Sequence, residues 1–137
     1  MIDLHRKTHS VSHFQVSLIR AGANLSEFAV GGTLVNFSEN EINVATAWDD
    51  NGSVSPEVEI VVTGMNVPPG DGFPPLSAVA SGPFNVGRGG IEAGNWISGD
   101  VATVAIAEGR YWVLVLLDTL EPMTARRVQF HFWPQST

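Results

Sequence analysis

Arg110-Tyr111-Trp112-Val113-Leu114-Val115-Leu116-Leu117 is apolar at every position from Tyr111 to Leu117. Glu108-Gly109 precedes the run and Asp118 follows it. A run this short, bounded by polar and turn residues, predicts a strand buried on both faces. Such a strand must lie inside a sheet or have its second face covered.

Its neighbours share the same period of two. Downstream, Val128, Phe130 and Phe132 alternate with Gln129, His131 and Trp133, a strand with one face in the core. Upstream, short apolar stretches at Val101 to Ala107, Ile91 to Ile97 and Leu76 to Val86 are separated by glycine-rich turns such as Gly87-Arg88-Gly89-Gly90. Further strands are predicted at Val11 to Ile19 and Thr33 to Phe37. Ile42 to Trp48 and Glu57 to Thr63 read as a hairpin through Asp49-Asp50-Asn51-Gly52, because Asn-Gly readily supplies positive φ. No window of helical length holds a 3.6-residue apolar stripe. The expected fold is all-β, a single-domain antiparallel β-sandwich of about eight or nine short strands.

Two segments fall outside this pattern. Residues 1–10 lack an apolar face and are expected to form a flexible N-terminal arm. Residues 64–75 contain Pro68-Pro69-Gly70-Asp71-Gly72 and Pro74-Pro75, which cannot donate regularly to a ladder and predict an exposed loop. Loops of this length in compact domains often carry function.

Composition limits the function classes. The 137 residues carry 14 acidic and 7 basic side chains, a formal charge of −7, and no cysteine. Disulfide scaffolds and thiol chemistry are thereby excluded. An acid excess argues against direct nucleic-acid binding, which needs a basic surface against phosphates. No apolar run approaches the ~20 residues of a membrane-spanning helix. The N-terminal residues do not read as a signal peptide, so a cytoplasmic location is expected. Charged residues make up only 15%, against roughly 25% in typical domains, and lightly charged faces associate readily.

Few side chains suggest chemistry. His5, His9 and His13 are four apart, but the segment has no helical face and no fitting carboxylate or cysteine, so solvated histidines and no metal are expected. The Asp49-Asp50 turn lacks the alternating oxygen ligands of a calcium loop. The glycine turn at Gly87 is followed by neither Lys-Ser/Thr nor a helix, so it is not a phosphate cradle. Gly109-Arg110-Tyr111 reads as the start of a late sandwich strand whose tyrosine hydroxyl ties down a neighbouring loop. There is no Gly-x-Ser-x-Gly elbow, and the histidines lie at the two ends of the chain. The chain reads as a non-enzyme without a cofactor.

The strand pattern of the second half also carries a family likeness. Pro83-Phe84-Asn85-Val86, the glycine turn, Gly90-Ile91 and Ala107-Glu108-Gly109-Arg110-Tyr111 resemble the competence-associated nuclease inhibitor family, as does the opening His13-Phe14-Gln15-Val16. The resemblance implies a small acidic protein that occupies the basic cleft of a partner such as a nuclease, as immunity proteins do. An acidic patch of Asp49, Asp50, Glu57 and Glu59, brought together by the expected hairpin, would meet that cleft, with Trp48 and Trp133 as aromatic anchors. Two alternatives stand beside it. One is a carbohydrate or small-ligand binding module that stacks sugars on exposed tryptophans. The other is a structural homo-oligomer using the lightly charged faces.

Overall fold

The computed structural model describes residues 2–11, 15–23, 34–47, 56–64, 76–121 and 124–134. They form ten strands and no helix: β1 (Ile2–Ser10), β2 (Gln15–Arg20), β3 (Val35–Phe37), β4 (Glu41–Ala45), β5 (Glu57–Gly64), β6 (Ser77–Val86), β7 (Ile91–Asn95), β8 (Asp100–Val104), β9 (Gly109–Leu117) and β10 (Arg127–Pro134). One sheet has the order β1-β5-β10-β9-β6 and the other β3-β4-β2-β7-β8. The architecture is the expected all-β sandwich.

The core lies between the two sheets and follows the alternation along each strand. From the first sheet, Val58, Ile60, Val62, Val113, Val115, Leu117, Val128, Phe130 and Phe132 point inward. Val16, Leu18, Ile42, Val44 and Ile91 meet them from the second. Phe132 packs edge-on against Phe84 (centroids 6.1 Å apart) and Tyr111 (5.9 Å). The apolar strand that begins with Tyr111 is interior, flanked by β10 and β6.

Three expectations are corrected. First, β4 and β5 are not a hairpin: β4 pairs with β2 and β3, whereas β5 pairs with β1 and β10. Both edges of β5 are already taken, so Ile42 and Val44 lie in the opposite sheet from Val58, Ile60 and Val62. Second, the first sheet is mixed, because β10 runs parallel to β5. These strands are not sequential, so no tight turn forces them antiparallel. Third, residues 2–10 are not an arm but the edge strand β1, laddered to β5 from Ile2↔Gly64 to Ser10↔Glu57. Its core-side positions hold His5, Lys7 and His9 in register with Val62, Ile60 and Val58, so no apolar period marks it. The exposed Lys7 on this edge strand also discourages further strands from adding.

Side chains close both open edges of the sandwich. At β3 and β6, Phe37 lies against Gly82, and Arg110 bridges Glu39 (2.5 Å) and the Asn85 side-chain carbonyl (3.2 Å). At β1 and β8, His9 and Ser10 meet Asp100. The expected tyrosine tie is present: the Tyr111 hydroxyl donates to the Ala107 carbonyl at 2.8 Å. Burial pushes the Tyr111 phenol above its ordinary pKa, so it stays protonated as the donor. Tyr111→Phe should cost about 1 kcal/mol in urea unfolding, the net worth of one such bond.

Candidate functional site

Trp48, Asp49 and Asp50 lie outside the described residues, as does His13. Glu57 and Glu59 stand two apart on the outer face of β5, at the start of the strand. Their surroundings differ. Glu59 accepts from Arg127 Nε (2.7 Å) and Arg6 Nη1 (3.4 Å), and Arg6 also reaches Asp3 at 3.0 Å. The hydrogen bond to Asp3 raises the Arg6 pKa. Glu59 is thus part of a charge-matched chain across β1, β5 and β10, whereas Glu57 is exposed. With the hairpin absent, the ladder does not place Glu57 and Glu59 beside the Asp49-Asp50 turn.

Trp133 is half-buried on β10, opposite Trp112 of β9 and with its ring 5.8 Å from that of His131. At roughly 3.3 Å per residue it stands about 20 Å along the strand from Arg127, the ladder partner of Glu59. Glu57 and Glu59, the described carboxylates of the anticipated patch, thus share one face at the start of β5, and Trp133 stands at the other end of the sheet.

Histidine chemistry is turned inward. His131 is fully buried, with Nδ1 2.7 Å from the Thr63 hydroxyl, which also accepts from Gln129 Nε2 at 3.0 Å. Burial lowers the His131 pKa to about 4, so the ring is neutral near pH 7. His9 is buried rather than solvated. Its Nδ1 contacts Asp100 Oδ1 (2.8 Å) and the Asp100 carbonyl (3.1 Å), and its Nε2 lies 3.0 Å from His5 Nε2. A proton on Nδ1, held by Asp100, leaves Nε2 to accept from His5. Burial, and then the neighbouring His9 and Lys7 charges, lower the His5 pKa. Burial would raise the Asp100 carboxyl, but the Ser10 N–H and the charges of His9 and Lys7 outweigh it and hold it low. Among the described residues no group of three or more His, Cys, Asp or Glu could hold a metal ion.

A different set of residues gathers at one end of the sandwich. The turn between β7 and β8 presents Ile97, which is 41% exposed, beside a half-buried Trp96. That turn is tied down on all sides. Asn95 Nδ2 donates to the Gln15 carbonyl (2.7 Å), Ser98 N to Asn95 Oδ1 (2.8 Å), and Ser98 Oγ to the Ser10 carbonyl (2.6 Å). The turn after β9 presents Leu120, 60% exposed, between Asp118 and Glu121. It too is braced: Arg126 N donates to Asp118 Oδ1 (3.1 Å) and Thr124 Oγ1 to the Glu121 carbonyl (2.9 Å). Glu57 sits at the same end, opposite Ser10 in the ladder. Sequence reading placed Ile97 inside a strand. The Asn95-Trp96-Ile97-Ser98-Gly99-Asp100 composition, rich in turn formers, was the signal for a turn there.

Neither a family model nor any curated protein matches this sequence. The structure does have a counterpart. It is similar to ComJ from Bacillus subtilis, the inhibitor of the DNA degrading activity of NucA, with a TM-score of 0.66 over 98% of each chain. Sequence identity is 10%, so the likeness is one of fold. It is the fold implied by the resemblance of Pro83 to Val86 and Ala107 to Tyr111.

Proposed function

We propose that this protein is a non-catalytic inhibitor that binds a DNA-degrading nuclease and blocks its cleft. The observation that carries this reading is the fold shared with ComJ over 98% of both chains. The net charge of −7 supports it. A cleft that holds DNA is basic, so a protein of opposite sign is steered into the same field that attracts the substrate. The inward commitment of His9 and His131 to internal partners also suits a protein that binds without reacting.

In this reading Asp49, Asp50 and Glu57 contribute to steering, with Trp48 and Trp133 as candidate aromatic contacts. Glu59 contributes less, because Arg6 and Arg127 already offset its charge.

The test is suppression of DNA degradation by purified NucA as this protein is added. Complete suppression near one-to-one stoichiometry, weakening as salt rises, is expected. Reversing Asp49, Asp50 and Glu57 to lysine together should slow association at low salt by about tenfold or more. Full nuclease activity at excess protein, across NucA and other sequence-nonspecific DNA endonucleases, would refute the reading. An unchanged association rate in the triple variant would remove its electrostatic part.

A further inference from the structure

The described structure exposes three large hydrophobic side chains, Leu4, Ile97 and Leu120. The two most exposed, Ile97 at 41% and Leu120 at 60%, stand on turns from opposite sheets yet at the same end of the sandwich. The register establishes this. Ser98 is bonded to Ser10, Ser10 is paired with Glu57, and Leu117, just before the second turn, is paired with Val128 beside Arg127, the partner of Glu59. Scattered exposed aliphatics need no explanation, but two presented from braced turns at one end are a different matter.

Charge is distributed in the same sense. No ion pair among the described residues reaches Glu57, Asp118 or Glu121, all at this end. Asp3 and Glu59 are matched by Arg6 and Arg127, and Glu39 by Arg110. Arg126 and Arg127 stand at this end too, and at the opposite end Arg20, Arg88 and Arg110 are accompanied by Glu39, Glu41, Glu92 and Glu108.

We infer that the end bearing Ile97 and Leu120 is the surface that docks on the nuclease, with the two aliphatic side chains as anchors and the carboxylates as their acidic rim. The inference rests on the inhibitor reading, adds where the contact is made, and takes Trp133, at the far end of β10, out of that contact. Its physical logic has two parts. Apolar anchors inside a polar rim carry most of the energy of an interface, because the rim excludes water from them. Turns already held by side-chain hydrogen bonds lose little further freedom on binding, so the contact energy is not spent on ordering them. Both turns meet that condition through Asn95 and Ser98 on one side and Asp118 and Thr124 on the other. The acidic rim complements a basic DNA-binding cleft.

The test compares three proteins in the NucA assay: wild type, the double variant Ile97→Arg with Leu120→Arg, and Arg88→Glu at the opposite end. The double variant should need about thirtyfold more protein, or beyond, for half inhibition. Arg88→Glu should inhibit like wild type. Both variants should keep the wild-type melting temperature, since the substituted side chains are exposed. Inhibition undiminished in the folded double variant, or an equal loss in Arg88→Glu, would overturn the inference while leaving the inhibitor reading intact. A wild type that inhibits neither NucA nor related endonucleases would overturn both.

Discussion

Gly94→Ala should lower the unfolding free energy by about 3 kcal/mol or more, a large share of the roughly 5–15 kcal/mol that holds a domain of this kind. Gly94 of β7 pairs with Ser17 on one side and Val101 on the other, and its φ is 150°. A Cβ there would stand 2.1 Å from the Asp100 carbonyl oxygen and 2.7 Å from Val101 Cα. Those are backbone atoms of the neighbouring strand, so no rotamer change relieves the clash and β8 must move. Moving β8 disturbs the Asp100 contacts with His9 and Ser10 and the turn that holds Ile97. Urea unfolding should show a markedly lower midpoint. Amide exchange should accelerate first in Val101 to Val104. Gly99→Ala separates strain from clash, because Gly99 has φ 79° but nothing within 4 Å of its would-be Cβ. It should cost only about 1–2 kcal/mol. Equal losses at the two positions would show that the close approach of β7 to β8 is not what requires glycine.

Acid should destabilise the protein through His131 well before the carboxylates titrate. The folded pKa is about 4, below the ordinary value of 6.5, because the buried ring is poorly solvated as a cation. Between those values the unfolded chain binds a proton that the native ring refuses. Stability is therefore intact above about pH 6.5 and falls as pH drops toward 4. At about 1.4 kcal/mol per unit the full window is worth roughly 3 kcal/mol. His5, also lowered, contributes with the same sign. Unfolding free energies at pH 7 and 4.5 would measure the slope. His131→Gln should be less stable at neutral pH, yet lose less between the two values. A slope identical to wild type would show that His131 does not couple folding to pH.

The β character of the chain was legible because alternation is local. Val128, Phe130 and Phe132 must share a face whatever surrounds them, and all three are in the core. Tyr111 to Leu117, apolar on both sides, had to be interior and is. The tyrosine tie was legible for the same reason, since Tyr111 and Ala107 are only four residues apart. The functional surface was harder to read. Glu57 and Glu59 look equivalent in sequence, but Arg6 and Arg127, far apart in the chain, offset only Glu59. Ile97 looked like a strand residue until the turn around it was seen to be held by Gln15 and Ser10.

What local pattern could say about this protein was therefore the class of its elements, the inward face of most of them, and the sign of its charge. Which sheet each strand joins was beyond it. β4 and β5 carry the same alternation and a turn signal between them, yet they belong to different sheets. Period two states which side of a strand is apolar, but not whether the next strand lies beside it or opposite, because either arrangement buries the same side chains. The packing resolved that choice, with β1 and β10 filling both edges of β5. The −7 charge remained a bulk number until long-range pairing showed which carboxylates meet an arginine and which stand at the end that presents Ile97 and Leu120.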